Sequence, residues 1–124
     1  MLFRSHPDLR GGVIELGAGW VPALLRRLDL IAQIWKRSES DLAALKTAPS
    51  ELISRQMAFT PYPFEDVGAM IRESNPDLYL FSSDYPHIEG GRNPLGRFET
   101  SLEGMSDEVQ SKFYSQNMAT LLGS

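Results

Sequence analysis

Leu78-Tyr-Leu-Phe-Ser-Ser-Asp84-Tyr-Pro-His87, continuing into Ile88-Glu-Gly-Gly91, decides the fold. A short uncharged run, apolar on both faces, ends in two serines, a carboxylate and a Pro-fixed turn. Such a run reads as a strand covered on both sides, as in a parallel sheet packed between helices. Side chains at the end of that strand reach the crevice at the carboxyl edge of the sheet, where active sites of α/β proteins are built. Asp84 is therefore the first candidate for chemistry. The competing reading is a turn-capping Asp ahead of Tyr85-Pro86.

Outward from this run, strands and helices alternate. Gly12 to Gly17 reads as a strand with its exit turn. A helix is expected over Trp20 to Trp35, with Val21, Leu24, Leu25, Leu28, Ile31 and Trp35 on one face. Pro22 suits its first turn, where a missing N–H costs nothing. Ser38 to Asp41 resembles a capping box before a short Leu42/Leu45 helix, and Ser50 to Gln56 reads as another helix. Met57 to Thr60 is a second strand, stopped by Pro61 and Pro63. Phe64 to Ser74 is a helix, Asn75-Pro-Asp77 a turn, and Leu78 to Ser83 the third strand. After a Gly- and Pro-rich loop come a helix over Gly96 to Leu102 and a last one capped by Ser106, with Val109, Phe113, Met118, Leu121 and Leu122 on its apolar side. This α/β order implies parallel strands joined by crossovers. Two architectures satisfy it: three units of a larger α/β barrel, or a small three-stranded layer.

The chain has 124 residues, one domain's worth at most. Its 42% hydrophobic and 23% charged residues are those of a folded globular protein. A net charge of −4 gives no basic surface for nucleic acid. There is no cysteine, which excludes disulfides, thiolate metal sites and cysteine catalysis. No apolar run approaches the roughly 20 residues of a membrane span. The start, Met1-Leu-Phe-Arg-Ser-His-Pro-Asp8, shows no signal-peptide core, so the expected compartment is the cytoplasm.

Four motifs together resemble the C-terminal part of the amidohydrolase-related family of metal-dependent hydrolases and decarboxylases, the group that includes aminocarboxymuconate-semialdehyde decarboxylase. They are Pro7-Asp-Leu-Arg-Gly-Gly-Val-Ile-Glu15-Leu-Gly-Ala-Gly-Trp20-Val-Pro22; Arg55-Gln-Met-Ala-Phe-Thr60 with Glu65-Asp66; Phe81-Ser-Ser-Asp84-Tyr-Pro-His87 with Glu89-Gly90; and the tail Phe113 to Gly123 around Asn117. The resemblance covers nearly all of residues 1–124 and implies a (β/α)₈ TIM barrel, truncated, with 12–17, 57–60 and 78–84 resembling its sixth, seventh and eighth strands. It makes Asp84 the family's metal-side carboxylate, a ligand or neighbour of a divalent zinc or manganese ion that also handles a proton. The implied activity is hydrolysis or nonoxidative decarboxylation of a small carboxylated or ring-derived substrate.

The chain departs from the family pattern. It has only His6 and His87, neither within a His-x-His pair. A (β/α)₈ barrel takes roughly 250 residues. A catalytic zinc typically takes three protein ligands, more than Asp84 and His87 provide. The expectation is thus a truncated copy, inactive by itself and without tight metal binding.

Beside Asp84, three residues are candidates for substrate contact. His87 lies three positions on, against a reading as a solvated loop histidine. Glu15 lies near a strand end, against a reading as a carboxylate paired to Arg26, Arg27 or Arg55. Arg92, like Arg97, is suited to a substrate carboxylate through bidentate bonds, against a reading as a solvated charge. Gly17-Ala-Gly19 lacks the third glycine of a dinucleotide loop and reads instead as a tight turn into a helix. Trp20 is a candidate pocket wall. The alternative function is an inactive fragment or pseudoenzyme acting as an interaction module. Three parallel strands covered on one side leave an apolar face and bare edges, so a homo-oligomer or association with the missing barrel half is expected.

Overall fold

The computed structural model describes residues 5–124; residues 1–4, on which part of the leader reading falls, lie outside the described residues. The chain runs β1 (Gly11–Val13), α1 (Val21–Trp35), α2 (Ser40–Ala43), α3 (Pro49–Gln56), β2 (Met57–Phe59) and α4 (Val67–Glu73). After α4 come a 3₁₀ turn (Pro76–Leu78), an extended stretch, a second 3₁₀ turn (Ile88–Gly90) and α5 (Pro94–Ser101). The closing helical segment is α6 (Asp107–Ser111), a wide π turn (Lys112–Gln116) and α7 (Asn117–Leu122).

β1 and β2 form a two-stranded parallel sheet in which Gly11, Gly12 and Val13 face Met57, Ala58 and Phe59. The expected third strand is not a full strand. Tyr79 makes one parallel bridge to Phe59, and Leu80 N–H donates to the Phe59 carbonyl at 2.9 Å. Phe81 N–H then turns away to the Phe113 carbonyl at 3.0 Å, so the chain exchanges a strand neighbour for a helix. Leu78, Tyr79 and Leu80 are nonetheless fully buried. The apolar run thus reports burial correctly, while pairing depends on which backbone lies alongside. β1 also stops sooner than its sequence implies, because Glu15 takes a left-handed φ of 59° and Gly17 one of 63°, which no strand continues.

α1 follows its apolar stripe, with Pro22 in the first turn. Val21 and Leu25 are buried, whereas Leu30, Ile34 and Trp35 are more than half exposed, so only the first half of the helix meets the core. The capping box is corrected: α2 starts at Ser40 after Glu39, and the Ser38 hydroxyl donates to the Trp35 carbonyl, closing α1 rather than opening α2. α3 is held to α1 by Asp29, whose carboxylate accepts from both the amide and the hydroxyl of Ser50 at 2.9 and 2.6 Å. α4 begins three residues after the expected Phe64, since Asp66 is its cap, accepting from Ala69 N–H at 2.9 Å. That bond, with a second from the Ser101 hydroxyl, holds the Asp66 carboxyl below the usual carboxylate range. Asn117 is buried in the closing segment, where its Nδ2 donates to the carbonyls of Pro76 and Tyr79 at 2.8 and 2.9 Å.

The core joins Ala18, Val21 and Leu25 to Phe59, α4, Leu78-Tyr79, and the aromatic rings of Phe98 and Phe113. Among the described residues no helix is long and apolar enough to cross a membrane.

Candidate functional site

Because the paired segments are parallel, the ends of β1, β2 and the 79–84 stretch emerge on one edge. Glu15 lies two residues beyond β1, and Asp84 closes the third segment. Both adopt left-handed backbone, φ 59° and 55°, and among the described residues they are the non-glycine positions that do so. Such backbone costs roughly 1–2 kcal/mol for an L residue and concentrates at functional sites. Here it turns two carboxylates toward one place.

His87 reaches the same place through a tight turn. Its amide donates to the Asp84 carbonyl at 2.8 Å across a cis Tyr85-Pro86 bond. The ring then comes back over the edge, with Nδ1 at 2.8 Å from Glu15 Oε1 and 3.5 Å from Asp84 Oδ1. Glu15 and His87 side chains are more than half exposed, whereas that of Asp84 is only 10% exposed. Asp84 Oδ2 is buried with no hydrogen-bond partner. Gly90 supports the turn from behind: a Cβ there would stand 2.5 Å from the Ser83 carbonyl, so the loop seats on the strand end only with glycine.

Three of the four candidate residues, Glu15, Asp84 and His87, therefore converge, although Glu15 is far from the others in sequence. Arg92 is exposed in the loop before α5, and no ion pair joins it to the three among the described residues. Arg97 instead lines a groove of ≈ 580 Å³ with Phe64, Glu65, Asp66, Asn93 and Ser101. That groove includes none of the three converging residues; of these, Glu15 and His87 are open to solvent on this chain, whereas Asp84 is shielded. Glu15 is not paired with the arginines named for it, since Arg26 bonds Glu73 and Arg55 bonds Glu51.

Two residues at this edge had no role assigned from the sequence: Tyr62, which it did not single out, and Glu65, which it noted only beside Asp66. The Tyr62 hydroxyl donates to the Glu15 carbonyl at 2.9 Å and so holds the left-handed turn. Its phenol is pushed above the usual range, first by desolvation and then by the charges of Asp84, Glu89, Glu15 and Glu65, which marks the edge as electronegative. Glu65 accepts from the amides of Tyr62, Ala18 and Gly19 at 2.7, 3.0 and 2.8 Å. It thereby occupies the Gly17-Ala18-Gly19 turn as a bound phosphate would, which accounts for the turn without a nucleotide. The positions of Tyr62 and Glu65 around Pro61 and Pro63, just past a strand, were the available signal. Trp20 clamps the same turn, donating from Nε1 to the Gly17 carbonyl at 3.2 Å and packing edge-on against Phe59 at 5.5 Å.

No protein-family model matches the chain, and no curated protein matches it. Among solved structures, it is similar to the amidohydrolase map2389c of Mycobacterium avium subsp. paratuberculosis K-10, with 30% identity and a TM-score of 0.79. The match covers 98% of this chain and 30% of that one, so the chain spans about a third of the length of the structure it resembles.

Proposed function

We propose, from a chain that is amidohydrolase-related, that residues 1–124 are the C-terminal part of a metal-dependent hydrolase or nonoxidative decarboxylase built as a (β/α)₈ barrel. In this reading β1, β2 and the 79–84 stretch lie at the sixth, seventh and eighth strand positions. The observation that carries it is the convergence of Glu15, Asp84 and His87 at the carboxyl edge, where barrel enzymes keep their chemistry.

The residues fit the divalent zinc or manganese ion that the family implies. Asp84 Oδ2 is a shielded carboxylate oxygen without a donor, an arrangement that is costly unless a cation completes it. When bound, such an ion acidifies a water and polarises a carboxyl or carbonyl oxygen. Asp84 then takes up or returns a proton at its carboxylate. Glu15 and His87 line the mouth above it, and Arg92 meets a substrate carboxylate from the loop. The substrate is a small carboxylated or ring-derived molecule. The remaining walls belong to other strands of the barrel.

The test is to express the complete genomic reading frame that contains these residues and to follow carbon dioxide release and hydrolysis on small carboxylated substrates with zinc or manganese. Asp84→Asn is expected to lower turnover by about 10²–10⁴-fold. Unchanged turnover removes Asp84 from the chemistry.

A second reading, an interaction module, is favoured by the exposed apolar side chains of Leu30, Ile34 and Trp35 on α1 and of Ile14 and Leu16 beyond β1. On that reading the purified chain self-associates at micromolar concentration in analytical ultracentrifugation. A dilute monomer with a sharp, reversible unfolding transition rejects it.

A further inference from the structure

We infer that Glu15, Asp84 and His87 form a three-donor site for one divalent cation on this chain, with Glu15 and His87 as ligands beside Asp84 rather than as substrate contacts. The inference deepens the metal-dependent reading above and rests on it.

The spacing is the first ground. His87 Nδ1 stands 2.8 Å from Glu15 Oε1 and 3.5 Å from Asp84 Oδ1, and ligand atoms of all three residues lie within 4.8 Å of one another. Adjacent donors on an ion bound at about 2.1 Å stand roughly 3–3.5 Å apart. The His87–Asp84 separation already matches that of neighbouring ligands, the His87–Glu15 pair stands slightly closer, and all three donors lie within 4.8 Å, close enough for one ion to gather them with small side-chain shifts.

Asp84 is the second and independent ground. Its side chain is nine-tenths buried, and Oδ2 has no partner. Among the described residues no Lys or Arg forms an ion pair with Asp84 or Glu15. His87 Nδ1 stands near Oδ1 at 3.5 Å, while Oδ2 has no partner. A metal ion supplies a countercharge to both carboxylates.

The donor set also defines the ligand. Two carboxylates and one imidazole suit a first-row divalent ion of the manganese or zinc type, with open positions left for water or substrate oxygen. The sequence offered Asp84 and His87 as an incomplete set. Glu15 is the third donor, delivered by the parallel register.

The experiment uses the 124-residue chain, stripped with a chelator and titrated with Mn²⁺ alone, while the ring signals of its two histidines are followed by NMR. One Mn²⁺ per chain is expected, erasing the His87 signals by paramagnetic broadening while those of His6 persist. Glu15→Gln and His87→Ala are each expected to weaken binding at least about tenfold. Both side chains are more than half exposed, so these variants keep the fold. Equal, non-saturating broadening of His6 and His87 overturns the inference. Weakening by Asp84→Asn alone, with the other two variants binding like the parent, also overturns it, yet leaves Asp84 as the metal-side carboxylate. Activity lost on metal removal from the complete enzyme tests the underlying reading separately.

Discussion

Gly68→Ala is expected to destabilise the chain by about 3 kcal/mol and to lower its melting temperature by roughly 10–15 °C. A Cβ at this position would stand 2.0 Å from the Ser101 carbonyl oxygen. That atom is backbone, so no rotamer change relieves the overlap; α4 and α5 must separate. Two bonds at the crossing would go with them: Gly68 N–H to the Ser101 hydroxyl, and that hydroxyl to Asp66, both 2.9 Å. Gly104→Ala is the comparison. Gly104 has φ 79°, and a methyl group added there would meet no atom within 4 Å, so its cost is left-handed strain alone, about 1–2 kcal/mol. Thermal unfolding followed by circular dichroism measures both. A Gly68→Ala melting temperature equal to or above that of Gly104→Ala would show that the helices part without penalty.

Phe113→Ala is expected to cost about 3–5 kcal/mol, the range for truncating a buried aromatic ring. Phe113 is fully buried. Its ring lies 5.0 Å from Phe98, 5.1 Å from Tyr114 and 6.1 Å from Phe81, each in an edge-to-face arrangement. Offset and edge contacts of this kind add about 0.5–1.5 kcal/mol per pair beyond the area they bury. The loss extends to the site. The Phe113 carbonyl accepts the Phe81 amide, and Phe81 leads through two serines to Asp84. A loosened closing helix therefore frees the strand end that aims Asp84. The urea midpoint is expected to fall with an unchanged m-value. A fall of less than about 1 kcal/mol would mean that neighbouring side chains collapse into the vacated volume and that the ring does not anchor the closing helix.

Both effects turn on residues whose sequence signal was partial. Phe113 was legible as the apolar face of the last helix, because its spacing from Val109 is helical. Gly68 gave no signal within its helix, where it is simply a weak helix former. Its necessity comes from a second backbone that approaches it from far along the chain. The same division runs through the site. Asp84 stood out because an apolar run ends on it, and Glu65-Asp66 because two carboxylates stand at a helix entrance. Which of the two caps α4 was not legible: Asp66 does so, and Glu65 turns back to the Gly17–Gly19 turn.

The sequence by itself determined the α/β order, the placement of α1 and α3, burial of residues 78–80, and the candidacy of Asp84, Glu15 and His87. These follow from local periodicity, proline and capping positions, and apolar runs, all encoded within a few residues. Only the tertiary structure decided that residues 79–84 make one bridge instead of a ladder, that Glu15 faces His87 rather than an arginine, and that Tyr62 holds the Glu15 turn. Those outcomes depend on which distant backbone groups come within hydrogen-bond reach, and parallel register fixes that across separations no local pattern spans.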